Sequence, residues 1–215
     1  MLFPLYLLLL ILLGVPTLFF LLYLNVAALS FGKLGLSPQG AFFLFTVSLM
    51  GSVVNIPVFS RTVIVRRPVF PLFPMFFFYP PAVQEQIVAI NLGGAVVPAL
   101  FSLYLLPRAH LLPVLISTAI VALACYLAAR PVPGRGILMP AFIPPLAAAL
   151  SALLFSRDNP AVVAYISGTM GTLIGADLLH LGEILRMGPG ILSIGGAGVY
   201  DGIFLAGLVA ALLAW

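Results

Sequence analysis

The sequence predicts an all-α fold, a membrane-embedded bundle of about seven transmembrane helices. Of its 215 residues, 63% are hydrophobic and only 7% are charged, and the mean hydropathy is +1.27. Soluble domains carry about 25% charged residues. The apolar runs approach the length of about 20 residues that a helix needs to cross a bilayer, and they lack the alternation of an outer-membrane barrel. The composition therefore excludes a soluble domain and makes the lipid bilayer the first expected partner.

Breaks between the apolar runs divide the chain into seven spans. No Lys or Arg precedes Lys33, and the first run is too long for the core of a signal peptide, so it is expected to remain as the first helix. The predicted spans are approximately 2–30, 39–59, 87–106, 111–129, 136–155, 160–184 and 191–214.

The basic residues predict the orientation of the bundle. One end carries six of them, namely Arg61, Arg66, Arg67, Arg130, Arg135 and Arg186. The other end carries three, namely Lys33, Arg108 and Arg157. Basic residues favour the cytoplasmic side, which predicts a multi-pass cell-membrane protein with a cytoplasmic N-terminus and an outside C-terminus. Because the net charge of +4 is spread through short loops, no nucleic-acid partner is expected, and the oligomeric state is left open.

The chain also resembles itself. Residues 48–55 align with 168–175, and residues 91–97 align with 193–199. A repeat that begins four spans later keeps its orientation, so the sequence predicts a parallel 3+1+3 arrangement within a single domain of residues 1–215. Repeat one covers about 2–106, the connector helix about 111–129 and repeat two about 136–214. The alternative is chance recurrence of Gly, Val and Ala.

Two aspartates in the most apolar part of the chain are the candidate catalytic residues. Asp177 and Asp201 are equidistant from a Gly-Pro turn at 187–190. If helices enter and leave this turn, both aspartates lie at one depth, roughly 15 Å in from it, near the middle of a hydrocarbon core of about 30 Å. Glycines at 168, 171 and 175, and a Gly-x-x-x-Gly pair at 198 and 202, would let the helices approach closely. Alternatively, each aspartate bonds separately to the backbone or to Ser and Thr.

Two carboxylates at close range in a low dielectric share one proton. Such a pair can activate water against a peptide carbonyl, carry a proton or bind a cation. Six further residues are expected to support the pair or line its cavity: Asn55, Asn91, Gly175, Ser193, Tyr200 and His180.

No cofactor and no metal are expected. A metal site of Asp177, His180 and Glu183 is a weak alternative, because steps of three residues drift around a helix. The single cysteine, Cys125, excludes an internal disulfide and a cysteine-based cluster. Motifs of serine, zinc-dependent and nucleotide-driven enzymes are absent from the sequence.

The only long loop is predicted at 60–86. Its prolines block a long helix, and its basic and aromatic residues favour the membrane interface. A surface-lying linker is the preferred interpretation. The alternative is an exposed strand at Thr62–Val65, which could pair with an extended peptide.

Over nearly its whole length the chain resembles a family of prokaryotic multi-span membrane proteins known only as a domain of unknown function. The resemblance is carried by short stretches at 55–57, 93–95, 130–134, 171–177, 193–198 and 201–204. This resemblance implies a multi-span fold and brings no activity with it.

A weaker resemblance is to the intramembrane aspartyl proteases of the presenilin, signal-peptide-peptidase and prepilin-peptidase group. It rests on Gly175-Ala-Asp177, Tyr200-Asp201 and Pro98-Ala-Leu100. The order of the aspartate motifs differs from that group, and a Gly-x-Gly-Asp sequence is lacking. The resemblance implies one catalytic aspartate on each of two adjacent spans. The 3+1+3 plan is also similar to that of the SWEET sugar transporters, as a likeness of architecture alone.

The sequence therefore favours an aspartyl-type intramembrane protease that acts on a membrane-embedded peptide. The alternative is a transporter or channel in which the same aspartates bind a proton, a cation or a small solute. A structural or assembly protein is the third possibility.

Overall fold

The computed structural model describes residues 2–65, 82–132, 136–186, 188–196 and 202–214. Most of these residues are helical. The α-helices are α1 (Leu2–Lys33), α2 (Pro38–Gly51), α3 (Val97–Leu105), α4 (Leu111–Ala128), α5 (Ile143–Phe155), α6 (Pro160–Thr172), α7 (Leu181–Ile184) and α8 (Gly202–Leu213). The strands are β1 (Asn55–Val65), β2 (Ala82–Asn91), β3 (Arg130–Val132), β4 (Gly136–Leu138) and β5 (Gly190–Ile194).

Two π-helical segments connect these elements. The segment π1 (Leu92–Val96) joins β2 to α3, and π2 (Leu173–Leu178) continues α6. A short 3₁₀ turn at Leu106–Arg108 ends the α3 segment. Both π-helical segments contain glycine, and such wide turns occur frequently at functional sites.

Helix α6 is the centre of the bundle. Every residue from Val162 to Thr169 is buried, and the helix packs against α3, α4, α5 and α8. The ring of Tyr165 meets Phe101 edge to face, with 5.1 Å between the ring centroids. Proline at the first turn starts the helix, since its missing N–H has no partner there in any case.

The predicted glycine face of α6 is used, although by two different neighbours. A Cβ added to Gly168 would lie 3.2 Å from the carbonyl oxygen of Ala206 in α8. A Cβ on Gly171 would lie 2.6 Å from Val121 in α4. Glycine therefore permits close backbone approach on both sides of α6, and the face does not serve α8 alone.

Several hydrogen bonds gather the helix ends at one end of the bundle. Lys33 Nζ donates to Leu212 O at 2.6 Å, and Arg108 Nη1 donates to Leu34 O at 2.8 Å. Cations at helix C-termini stabilise the last carbonyls. These contacts agree with the predicted grouping of Lys33 and Arg108 at one end, whereas the orientation in a membrane stays a prediction.

At the other end lies a three-stranded sheet with the order β1-β2-β5. Strands β1 and β2 are antiparallel from Asn55↔Asn91 to Val65↔Ala82, with a shift in register between Pro57 and Phe59. Strands β2 and β5 are parallel, from Gln86↔Gly190 to Ile90↔Ile194. A separate antiparallel pair, β3 and β4, follows α4.

Among the described residues, two helical segments are long and apolar enough to cross a membrane, Leu111–Ala128 and Pro160–Leu178. Helix α4 matches the predicted span 111–129. Seven full helices are not shown. The predictions for 39–59, 87–106, 136–155 and 191–214 were wrong in part, because each of these segments contains a strand. Hydropathy alone cannot separate a buried strand from a buried helix.

The preferred interpretation of 60–86 as a linker was also wrong at both ends. Residues 60–65 belong to β1 and residues 82–86 to β2, so the alternative strand at Thr62–Val65 is confirmed. The β-branched run Thr-Val-Ile-Val favours a strand once a partner is present. The intervening residues 66–81 lie outside the described part of the chain.

Candidate functional site

Asp177 lies in π2, where the end of α6 widens. The widened turn is closed by a hydrogen bond from Leu179 N to Ile174 O at 2.9 Å, five residues back. A Cβ on Gly175 would overlap the carbonyl oxygen of Ala122 in α4. Only glycine permits this approach, so the contact with α4 fixes the segment that presents Asp177.

The carboxylate of Asp177 is anchored to the residue that follows β5. Its Oδ2 accepts a hydrogen bond from Gly195 N at 2.9 Å. Gly195 has a φ of +73°, and a Cβ there would lie 2.5 Å from the Cβ of Ala95 in π1. Position 195 therefore requires glycine for its conformation and for its space, and its N–H sets the orientation of the Asp177 side chain.

Asp177 opens onto a cavity of about 520 Å³. Its walls are π2, the whole of β5, β4 with the residues that follow it, and the starts of α5 and α8. Most lining residues are apolar or glycine, and Asp177 is the one charged residue among the described residues of the lining. The size is typical of a ligand-binding pocket.

The geometry corrects the argument that placed both aspartates at one depth. The turn at 188–190 is followed by a strand, not by a helix. A strand rises about 3.3 Å per residue against 1.5 Å for a helix, so equal residue counts on the two sides no longer mean equal depth. Asp177 is level with Gly195. Asp201 and Tyr200 lie outside the described residues.

Three of the predicted polar residues do come together. Asn91 Nδ2 donates to Asn55 Oδ1 at 3.1 Å, and Ser193 Oγ donates to the same oxygen at 2.5 Å. Asn91 is buried, and its Oδ1 accepts from Gly94 N at 2.8 Å, which caps π1. Of the three, Ser193 lines the cavity of Asp177. The two amides therefore hold the strands together behind the cavity wall, whereas the sequence placed them in the cavity itself.

His180 has a supporting position, buried beside π2. Its Nδ1 lies 3.1 Å from the carbonyl oxygens of both Gly175 and Ala176. Carbonyl oxygens only accept, so Nδ1 carries the proton and donates to both. The imidazole ring also stacks on Tyr126, with 4.8 Å between centroids. His180 thus satisfies carbonyl groups that the widened helix leaves free, and the described residues hold no cluster of three potential metal ligands.

A second polar cluster at the mouth of the cavity was missed by the sequence reasoning. Gln86 in β2 is fully buried. Its Nε2 donates to Gly188 O at 2.5 Å, and its Oε1 accepts from Arg61 Nε at 2.5 Å. Arg61 also donates to Leu185 O. This cluster ties the turn at 185–190 to the sheet, and the only sequence signal was a lone glutamine pair inside a β-branched run.

The comparisons with known proteins were made on the whole chain. Residues 49–213 match DUF1614, described as a protein of unknown function. This match covers well over half of the chain, so the chain belongs to the DUF1614 family, which confirms the predicted resemblance to a family of unknown function. Searches of the curated proteins and of the solved structures gave no match.

Proposed function

We propose that this DUF1614 protein is an aspartyl-type intramembrane protease whose Asp177 and Asp201 hydrolyse a peptide bond inside the cavity. The observation that carries the proposal is that Asp177 is the one charged residue in the described lining of a cavity of about 520 Å³. A carboxylate in an apolar, membrane-buried cavity is costly and is a functional candidate by default.

The path of the chain supports a shared cavity for the two aspartates. Gly196 and Ile203 both line it, and these residues stand on either side of residues 197–202. Asp201 is two residues from Ile203, a span of at most about 7 Å. The carboxylates are therefore brought together by the return of the chain to one cavity, a different route from the paired helices that the sequence suggested.

In the proposed reaction, the pair holds one proton. The ionised carboxylate takes a proton from water while the protonated one donates a hydrogen bond to the peptide carbonyl. The water oxygen bonds to the carbonyl carbon and gives a tetrahedral intermediate. The C–N bond then breaks as the nitrogen takes up a proton. Gly195 N–H holds Asp177 Oδ2, which keeps the carboxylate oriented through both steps.

The proposal places the protein in the membrane as a multi-pass chain with a parallel repeat. Strands β2 and β5 are parallel neighbours, and each leads toward a helix, α3 or α8. A strand followed by a helix then replaces one full helix in the third and in the seventh pass. Unpaired strand edges are tolerated at such depth only when they line a cavity or are covered by protein.

Cleavage by the reconstituted protein tests the proposal. Purified protein in liposomes is given single-span reporter peptides, and the products are identified by mass spectrometry. Asp177→Asn and Asp201→Asn should each abolish cleavage, whereas Asp158→Asn, in an exposed pair with His110 at 3.2 Å, should leave it unchanged.

A binding measurement makes the test independent of the chosen reporter. A peptide with a hydroxyl group in place of the scissile carbonyl imitates the tetrahedral intermediate and should bind tightly. If this peptide binds the parent and both Asn variants equally, or if the variants still cleave, the protease proposal fails.

A proton- or cation-coupled transporter is the second candidate. It is favoured by the two π-helical interruptions and by the Asn55–Asn91–Ser193 cluster, since broken helices and freed polar groups build ion sites in transporters. In that case Asp177→Asn should abolish pH-driven uptake in liposomes, and the parent should cleave none of the reporters.

A further inference from the structure

Strand β5 has one free edge beside Asp177. Its other edge pairs with β2, from Gln86↔Gly190 to Ile90↔Ile194, and within the described part of the chain no strand pairs with its outer edge. In a strand of five residues, every second N–H and C=O then points away from β2. Such an edge is a template for another extended chain.

The cavity follows this edge along its whole length. All residues from 188 to 196 line it, and Ile137 and Met139 line it from the opposite side. A Cβ built on Gly136, Gly188 or Gly190 meets nothing within 4 Å, so the mouth is open. The side chain of Ile191 is 68% exposed. The space beside β5 therefore offers hydrogen-bonding groups in one wall and an apolar surface around them.

The other free edge of the same sheet is unsuitable by comparison. Strand β1 carries Pro57, which has no N–H to offer, and its register shifts between Pro57 and Phe59. Interruptions of this kind protect edge strands from pairing. Of the described sheet edges, β5 is the one that combines an uninterrupted ladder with a cavity and a carboxylate.

We propose that the cavity binds an extended, apolar peptide segment as an added strand on the outer edge of β5. Backbone hydrogen bonds hold the segment, and the apolar walls select its side chains. Asp177 is bonded to Gly195, the residue directly after the strand, so the added strand leads the peptide past the carboxylate. The inference rests on the proposed protease function and names its substrate class as a locally unfolded, uncharged stretch of peptide.

Photo-crosslinking in the Asp177→Asn variant tests the binding mode without cleavage. A photoreactive phenylalanine analogue replaces Ile191, or Ile137 on the opposite wall as a second position. The matched control replaces Val58, which is 63% exposed in β1. The probe is a biotin-tagged apolar single-span peptide. Crosslinking at least tenfold stronger from positions 191 and 137 than from position 58 is expected.

Competition with a second peptide identifies the hydrogen bonds. A peptide of the same sequence with alternate amide nitrogens methylated cannot donate along one edge, and it should compete at least tenfold more weakly. Equal crosslinking at both edges, equal competition by the methylated peptide, or crosslinking of position 191 to the chain itself would each overturn the inference. Because the variant does not cleave, binding without cleavage in the parent would refute the protease function alone, and cleavage without edge preference would refute this inference alone.

Discussion

The two π-helical segments use the same local device for different ends. In π1, a Cβ on Gly93 would overlap the carbonyl oxygen of Ser48, and Ser48 Oγ donates to Gly93 O at 2.6 Å. The segment is sealed against α2. In π2, Gly175 packs equally closely against Ala122 of α4, yet Asp177, two residues later, opens onto the cavity.

The difference teaches where the carboxylate can be tolerated. Around π1 every polar group that the wide turn exposes has a neutral partner, with Asn91 as its cap. Around π2 the neutral partner is His180, which serves the carbonyl oxygens, and the remaining face is free for an ionisable group. The first half of the chain thus holds the structure closed, and the second half carries the chemistry.

The largest expected effect is on the sealed segment. Gly93→Ala places a methyl group on backbone atoms of α2, which cannot move aside, and should destabilise the fold by about 4 kcal/mol or more. Gly182→Ala is the control, because a Cβ there meets nothing within 4 Å and alanine favours a helix by about 1 kcal/mol. Thermal unfolding in detergent measures both, and equal unfolding temperatures would contradict the close packing of π1.

The amide cap comes next. Asn91→Ala leaves the N–H of Gly94 and the carbonyl of Ser52 without their partner, and burial makes this cost about 1–3 kcal/mol. Asn55→Ala removes an exposed acceptor and should cost less, about 1 kcal/mol. A larger loss of stability for Asn55→Ala than for Asn91→Ala would reverse the assigned roles.

A smaller effect is expected at His180. Asn at this position can present an N–H close to the place of Nδ1, so His180→Asn should retain most of the stability. His180→Ala should lose about 1–2 kcal/mol, because two buried carbonyl oxygens lose their donor. If both variants bind an added divalent metal less well than the parent, His180 is a ligand and the supporting role is wrong.

The exposed ion pair at the far end should matter least. His110 and Asp158 are 78% and 70% exposed, and such pairs contribute about 0.2–1 kcal/mol. His110→Ala should leave both cleavage and the unfolding temperature nearly unchanged. A loss of activity would show that the end opposite the sheet takes part in function.

Part of this architecture could be predicted from the sequence. Helices α1 and α4, the two-sided grouping of Lys33 and Arg108, the strand at Thr62–Val65, and the meeting of Asn55, Asn91 and Ser193 followed from hydropathy, charge and residue pattern. The strands in the predicted spans 39–59, 87–106 and 191–214 did not. A strand depends on a partner far along the chain, and the parallel pairing of Ala89 with Ser193 joins residues about a hundred positions apart, which no local window reports.

The site was predictable in its key residue and not in its construction. An aspartate in an apolar run identified Asp177. Its anchoring by Gly195 N–H could not be foreseen, because it depends on a glycine with positive φ after a strand that was taken for a helix. The parallel 3+1+3 repeat, with Met50 over Met170 and Gly94 over Gly196, stays a prediction.

The distance between positions 177 and 201 tests the central claim most directly. With Cys125→Ala as background, Asp177→Cys and Asp201→Cys are combined and exposed to mild oxidation and to a short bifunctional thiol reagent. A disulfide requires Cα atoms within about 7 Å, and the reagent extends the reach to roughly 10 Å, the limit of a one-water bridge between carboxylates. Asp158→Cys combined with Asp177→Cys is the control. The account predicts rapid crosslinking of 177 with 201 and none in the control. Single cysteines that both react with maleimide, yet never crosslink with each other, would show that the aspartates do not share a cavity.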